Sequence, residues 1–190
     1  MRAAGTDIRK ASLRDIPALL ELINSYAERQ MMLPRTEFEL AENIRDFVVA
    51  RQGGELAACG ALHFYSPASG EIRSLAVLPA LQGNGLGRAV VEALEREARE
   101  NGLASLFAFT YVPDFFRKLG FEEVDRGELP LKAWKDCLRC PKFQACDEIA
   151  MLKYLACGSG IPRIQMRARR TIDAELIQLP HIKTPTPAAR

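Results

Sequence analysis

Apolar positions change their spacing along the chain, and each change marks an element. Asp7–Lys10 is a short strand. Ser12-Leu13-Arg14-Asp15 reads as a capping box, which satisfies the free N–H groups at a helix start. Ile16, Leu19, Leu20, Ile23 and Ala27 then recur at helical spacing, so one face turns to a core. Pro17 falls in the first turn, where a missing N–H is no loss. Met31–Arg35 is a loop, and Thr36-Glu37-Phe38-Glu39 is a second capping box. Phe38, Ala41 and Ile44 continue a short helix behind it. The period then falls to two. Phe47–Arg51, Gln52-Gly53-Gly54 and Glu55–Tyr65 form strand, turn and strand, and Glu71–Leu78 follows the turn at Ser66–Gly70. Leu86, Val90 and Leu94 return to helical spacing until Asn101-Gly102, a helix stop. Glu92/Arg96 and Glu95/Arg99 are i,i+4 pairs on its outer side. Leu103–Phe109 is apolar without alternation, as in a strand buried on both faces. Pro113–Leu119 is a short helix closed by Gly120, and Phe121–Val124 and Asp147–Leu155 are closing strands. The order β-α-α-β-β-β-α-β-α-β-β predicts an α/β fold, a mixed central sheet with helices on both faces.

The chain has 190 residues, enough for one domain with a real core. Its 26 basic and 24 acidic residues give only +2, so no concentrated basic face points to nucleic acid. Residues 156–190 alone carry +4, with Gly158, Gly160 and scattered prolines. They read as a basic extension, extended or partly disordered, after a domain spanning 6–155. That extension is either a solvated tail or a surface for an anionic partner or for a second subunit in a homo-oligomer. No apolar stretch suits a signal peptide or a membrane span. Five cysteines are an odd number for a disulfide framework. They are expected as reduced thiols or metal ligands in a cytoplasm.

Gln82-Gly83-Asn84-Gly85-Leu86-Gly87 lies between a strand and an amphipathic helix. Glycines let the backbone approach a ligand, and the helix start offers unpaired N–H groups at the positive end of the dipole. Together they suit a pyrophosphate. The spacing is not that of a dinucleotide fingerprint, and the Gly-Lys-Ser/Thr of a P-loop is absent.

This Gln-x-x-Gly-x-Gly turn after Ser74-Leu75-Ala76-Val77-Leu78-Pro79 resembles the acetyl-CoA signature of the GNAT N-acetyltransferases. Phe116-Arg117-Lys118-Leu119-Gly120-Phe121 is similar to their later helix-to-strand segment. The resemblance implies that the strand at 74–77 splays from the strand at 103–109. The pantetheine arm would lie in the gap against backbone at Leu75 and Val77, with a backbone N–H on the thioester carbonyl. It implies acetyl-CoA contacts at Leu75, Ala76, Val77, Gln82, Gly83, Asn84, Gly85, Leu86, Gly87 and Arg88. A narrower resemblance runs through Leu33–Thr36, Gly70–Val77, Pro113–Phe121 and Leu129–Cys137. These segments are similar to the short bacterial N-acetylglutamate synthases. That family implies acetyl transfer to the α-amine of L-glutamate, the first step towards arginine.

Several residues then acquire two readings. Arg35 precedes a helix start, where a cation is mildly unfavourable. It is either a clamp for a substrate carboxylate or a solvated loop arginine. Glu71 and Arg73 lie two apart on a strand, so alternation puts both on one face with Leu75 and Val77. Glu71 is the candidate base for the substrate amine and Arg73 a second carboxylate clamp; alternatively they form an ion pair. Lys132 is a third cation for the substrate or a surface lysine. His63, on one strand face with Cys59, Ala61 and Tyr65, is a packed histidine or a second base. Phe116 stands where many superfamily members carry a tyrosine as acid for the departing thiolate, and Tyr111 is the nearest substitute. Cys137, Cys140, Cys146 and Cys157 follow a C-x2-C-x5-C-x10-C spacing. They read as buried thiols or as zinc or iron–sulfur ligands; no metal is assigned. The rival functions are acetyl transfer to another amine, such as glutamine, a polyamine or a protein amine, and a non-catalytic acyl-CoA or metal sensor. No nucleic acid or membrane partner is expected.

Overall fold

The computed structural model describes residues 5–129, 142 and 145–155. Strand β1 (Thr6–Lys10) leads into the first capping box, where the Asp15 carboxylate accepts the Ser12 N–H at 2.8 Å. Asp15 is only 1% exposed. It also receives Arg9 at 2.9 Å and Arg51 at 2.7 Å, tying β1 and strand β2 (Phe47–Gln52) to the start of helix α1 (Ile16–Ala27). Arg9 first, with Ser12 and Arg51, holds the Asp15 carboxyl far below the usual carboxylate range against its burial. Leu22 and Tyr26 join the expected Ile16, Leu19 and Ile23 on the buried face of α1, while Leu20 packs half-buried against that cluster and Ala27 is half-buried.

The second capping box forms as predicted. The Thr36 N–H reaches Glu39 at 2.9 Å, and the Glu39 N–H returns to the Thr36 hydroxyl. Helix α2 (Glu37–Glu42) is one and a half turns long and buries Leu40. The predicted stripe is corrected here: Phe38 is 69% exposed, and Ala41 is exposed too. With Leu40 as the inward residue, 38 and 41 fall outside a face that narrow.

Among the described residues, seven strands follow the order β1-β2-β3-β4-β5-β7-β6. They comprise β2 (Phe47–Gln52), β3 (Glu55–Ser66), β4 (Ser69–Val77), β5 (Ser105–Thr110), β6 (Glu122–Glu123) and β7 (Ile149–Tyr154), after β1. Among the described strands, β4 and β5 pair in parallel and the other neighbours pair antiparallel. The connection between them holds α3 (Leu86–Glu100), and α4 (Pro113–Arg117) follows β5. The element order is the predicted one; β6 is shorter than expected.

The sheet is covered on both faces. On one, α1 packs with Phe47, Val49, Cys59, Ala61 and Ala76. On the other, α3 packs with Val48, Ala50, Ala58, Leu62 and Ile72. Val90, Val91 and Leu94 of α3 are fully buried, each worth about 2 kcal/mol relative to exposure. Of the expected helical pairs, Glu95–Arg99 forms at 2.5 Å, while Glu92 faces Arg88 at 3.9 Å. Among the described residues, no helix is long and apolar enough to cross a membrane.

Candidate active site

The centre of the molecule is a flaw in β4. Cys59 pairs with Ala76, but two residues along β3 Ala61 pairs with Arg73, so β4 carries one extra residue opposite Gly60. That bulge lies at Ser74, whose φ of 51° is in the left-handed region. The Cys59 thiol, 3.6 Å from the Ser74 carbonyl, packs behind it, and burial pushes this thiol up to about 12. Gly60 makes room on the other side. A β-carbon there would lie 2.9 Å from Val90 and 3.3 Å from Leu75.

The bulge corrects the predicted alternation. Before it, Glu71 and Arg73 face the α1 side, as does Ala76 after it. Leu75 and Val77 turn to the α3 side with Ile72. An inserted residue shifts the period-two count by one, so Glu71 and Leu75 do not share a face. The splay is as expected. Parallel pairing with β5 ends at Glu71–Phe107, while β4 continues to Val77 and β5 to Thr110. Beyond Glu71 the two strands part, and their facing edges line a cleft of about 890 Å³.

The glycine turn closes one end of this cleft. Gly83 and Gly85 have φ of 80° and 81°, and Gly85 is the residue from which α3 starts. No side chain caps α3. The N–H groups of Leu86, Gly87 and Arg88 therefore open its first turn at the cleft rim, where a phosphate would meet them. The Gln82 side chain is engaged elsewhere, donating to the Tyr26 hydroxyl at 2.7 Å. Tyr26 in turn donates to the Val77 carbonyl at 2.5 Å. This buried tyrosine links α1, the end of β4 and the glycine turn, and sequence reasoning missed it. Its signal was a polar tip on an otherwise apolar helix face. Arg88 is exposed and lies near Glu92 and the Lys118 carbonyl. Gln82, Gly83, Gly85, Leu86, Gly87 and Arg88 line the cleft with Leu75, Ala76 and Val77; Asn84, in the same turn, does not.

Arg35, Glu71 and Arg73 line the same cleft. Asn24 of α1 holds the Arg35 backbone in both directions, accepting its N–H at 2.9 Å and donating to its carbonyl at 3.0 Å. Glu71 is 9% exposed and sits at the last paired position of the splay. His63 is not a lining residue. Its Nδ1 lies 2.8 Å from Asp46, and its ring meets Tyr65 edge-on. Lys132 lies outside the described residues, as do Cys137, Cys140, Cys157 and residues 156–190.

The opposite wall carries Tyr111 and Phe116, which the sequence singled out, and Glu148, Arg126 and Lys142, which it did not. Glu148 lines the cleft, and burial, first among several influences, raises its carboxyl above the usual range. Arg126 donates to the Glu148 carbonyl and stacks over Phe109. Tyr111 also lines the cleft, and Lys142 donates to its hydroxyl at 3.3 Å. Burial is the leading cause that pushes the Tyr111 phenol above its ordinary value, so it keeps its proton near neutrality. Phe116 is 3% exposed and packs edge-on against Phe115 and Phe121. Among the described lining residues six are basic and two acidic, a balance suited to anionic ligands.

Residues 15–121 match the family described as the acetyltransferase (GNAT) family. The chain belongs to that family. As a GNAT acetyltransferase it uses acetyl-CoA as acyl donor, and the splayed strands and glycine turn fit that donor. An N-acetyltransferase of Chlorobaculum tepidum, named uncharacterized, is 42% identical over 155 residues, which are 82% of this chain and all of that one. An amino-acid acetyltransferase of Mycobacterium tuberculosis is 36% identical over 135 residues, covering 70% of this chain and 77% of its own. The crystal structure of N-acetylglutamate synthase from Neisseria gonorrhoeae, complexed with coenzyme A and N-acetyl-glutamate, superposes with a TM-score of 0.73 at 30% identity. That similarity covers 80% of this chain and 36% of the synthase, so this GNAT chain spans about a third of that protein.

Proposed function

We propose that this acetyltransferase transfers acetyl from acetyl-CoA to the α-amine of L-glutamate, the reaction of an N-acetylglutamate synthase and an entry step to arginine. One observation carries the reading. Two arginines from separate elements, Arg35 after α1 and Arg73 on β4, line the cleft into which the splayed β4 edge opens. Guanidinium groups bind carboxylates through paired hydrogen bonds, so an acceptor with two carboxylates fits a cleft with two such groups. The structural similarity to a synthase complexed with coenzyme A and N-acetyl-glutamate supports the same acceptor.

The backbone along Leu75–Val77 is suited to hold the pantetheine arm, and the N–H groups of residues 83–88 the pyrophosphate. At the bulge, an N–H polarises the thioester carbonyl as negative charge develops on its oxygen. Glu71 takes a proton from the glutamate ammonium, directly or through water. The amine nitrogen then bonds to the carbonyl carbon, the C–S bond breaks, and its electron pair leaves on sulfur. Tyr111 supplies the proton that completes the CoA thiol, with the Lys142 ammonium beside the phenolate that remains. The attacking nitrogen gives up a second proton to solvent as the amide forms, and solvent restores the Tyr111 proton; the glutamate ammonium thus loses two protons, the thiol gains one, and one is released. A screen of free amino acids with thiol release as readout tests the acceptor. Glutamate should give the highest kcat/KM; equal or faster turnover with glutamine would remove the case for two carboxylate clamps.

A further inference from the structure

Arg73 is held by groups that never reach the cleft. Its side chain is only 13% exposed. Its Nη2 lies 3.1 Å from His63 Nδ1, 3.5 Å from Asn43 Oδ1 and 3.8 Å from Asp46 Oδ2. Asn43 and Asp46 belong to the turn joining α2 to β2, and His63 stands on β3 beside Arg73's own register partner, Ala61. The His63 ring is fixed from its other side by Tyr65, with ring centres 5.0 Å apart. Two elements, the α2–β2 turn and β3, thus converge on the guanidinium of Arg73, a residue that lines the cleft.

The chemistry at His63 Nδ1 is a competition. This atom is 2.8 Å from the Asp46 carboxylate and 3.1 Å from the Arg73 guanidinium. With a proton it donates to Asp46; without one it accepts from Arg73; it cannot do both. In either state Asp46 and Arg73 attract each other across the ring, so the cluster confines the guanidinium whichever nitrogen carries the proton. A long, flexible side chain otherwise loses rotamer freedom when it binds a ligand, and a clamp already confined loses less.

We propose that His63 and Asp46 are positioning residues that aim Arg73 at the acceptor carboxylate. His63 acts through Arg73 and is not a base in the cleft. This inference rests on the reading of Arg73 as an acceptor clamp. Its test uses His63→Ala, His63→Gln and Asp46→Asn in the full chain, alone and combined with Arg73→Ala. Two quantities are read: the KM and kcat for glutamate, and the Kd of glutamate by calorimetry with coenzyme A present. Thermal unfolding of each variant verifies the fold.

His63→Ala and Asp46→Asn should raise glutamate KM and Kd about tenfold, in the range of contacting pairs, with little change in kcat or acetyl-CoA KM. A glutamine amide has both a donor and an acceptor, so His63→Gln can satisfy Asp46 and Arg73 together and should restore most of the affinity. In the Arg73→Ala background, His63→Ala should have no further effect. Loss of kcat in both His63 variants would make His63 a base and overturn the inference. So would additive losses with Arg73→Ala. A raised KM in Arg73→Ala with none in His63→Ala or Asp46→Asn removes the positioning role alone. An unchanged KM in Arg73→Ala sinks the acceptor reading, and this inference with it.

Discussion

Replacing Gly85 by valine should weaken acetyl-CoA binding while leaving the chain folded. Gly85 has a φ of 81°, and α3 starts from it. A side chain in this left-handed conformation costs about 1–2 kcal/mol, somewhat more when β-branched. No atom lies within 4 Å of an added β-carbon, so no clash adds to that strain. A loss of about 2 kcal/mol leaves most of a typical stability of about 5–15 kcal/mol and lowers Tm by roughly 4–8 °C. The strained residue relieves itself by moving to negative φ, which turns the following N–H groups away from a common target. Each hydrogen bond to a charged group is worth about 1.5–3 kcal/mol. Losing one therefore raises the Kd about 10- to 100-fold. Calorimetry with acetyl-CoA measures the affinity, and circular dichroism confirms the fold. A folded Gly85→Val variant with wild-type affinity would refute the role given to this turn.

Arg35→Ala and Arg73→Ala should each weaken glutamate binding by about 2–5 kcal/mol, as for a charged clamp removed from a buried partner, and should spare acetyl-CoA. Steady-state KM values for both substrates decide it; if neither variant changes the glutamate KM, the acceptor lies elsewhere. Glu71→Gln should lower kcat about 10²-fold near neutral pH and recover part of it in alkali, where the amine loses its proton unaided. An anchoring role would instead raise glutamate KM with little recovery, and wild-type kcat at every pH would end the assignment. Asp15→Asn should destabilise the fold by about 3 kcal/mol in urea, since it leaves the guanidinium groups of Arg9 and Arg51 facing a neutral partner. The Asp15 carboxyl is depressed in the folded state, so its contribution is complete above the unfolded value near about pH 4 and declines as pH falls below it. Equal stability of wild type and Asp15→Asn at neutral pH, or a difference between them that does not shrink as pH falls through the acid range, would contradict this.

Much of the fold was legible because its signals are local. The Ser12–Asp15 and Thr36–Glu39 boxes, the glycine stop after α3 and the buried strand at 105–110 each depend on neighbours in sequence. What was not legible depends on tertiary partners. Nothing near Ser74 in the chain announces a left-handed residue; Gly60 and Cys59, on the neighbouring strand, accommodate it. Asn24 and Asp46 looked like ordinary polar residues because their targets, Arg35 and the His63–Arg73 pair, lie 11 to 27 positions away. Glu148 escaped notice for the same reason, since burial and not sequence context sets its carboxyl apart.

On the proposed function, the bulge would also let one strand serve two ligands. In a regular β4, Glu71, Arg73, Leu75 and Val77 would all face α1, and the donor and acceptor groups would compete for one side of the sheet. One extra residue divides the strand into two halves with opposite facing. Glu71 and Arg73 stay on the α1 side, within reach of the loop that carries Arg35. Leu75 and Val77 move to the α3 side, under the helix whose first turn would meet the pyrophosphate. The residues at which the facing reverses are those where pairing with β5 has just ended, so their backbone groups face the cleft. A transfer reaction needs two substrates to approach one carbon from different directions, and this strand provides both directions within seven residues, Glu71 to Val77.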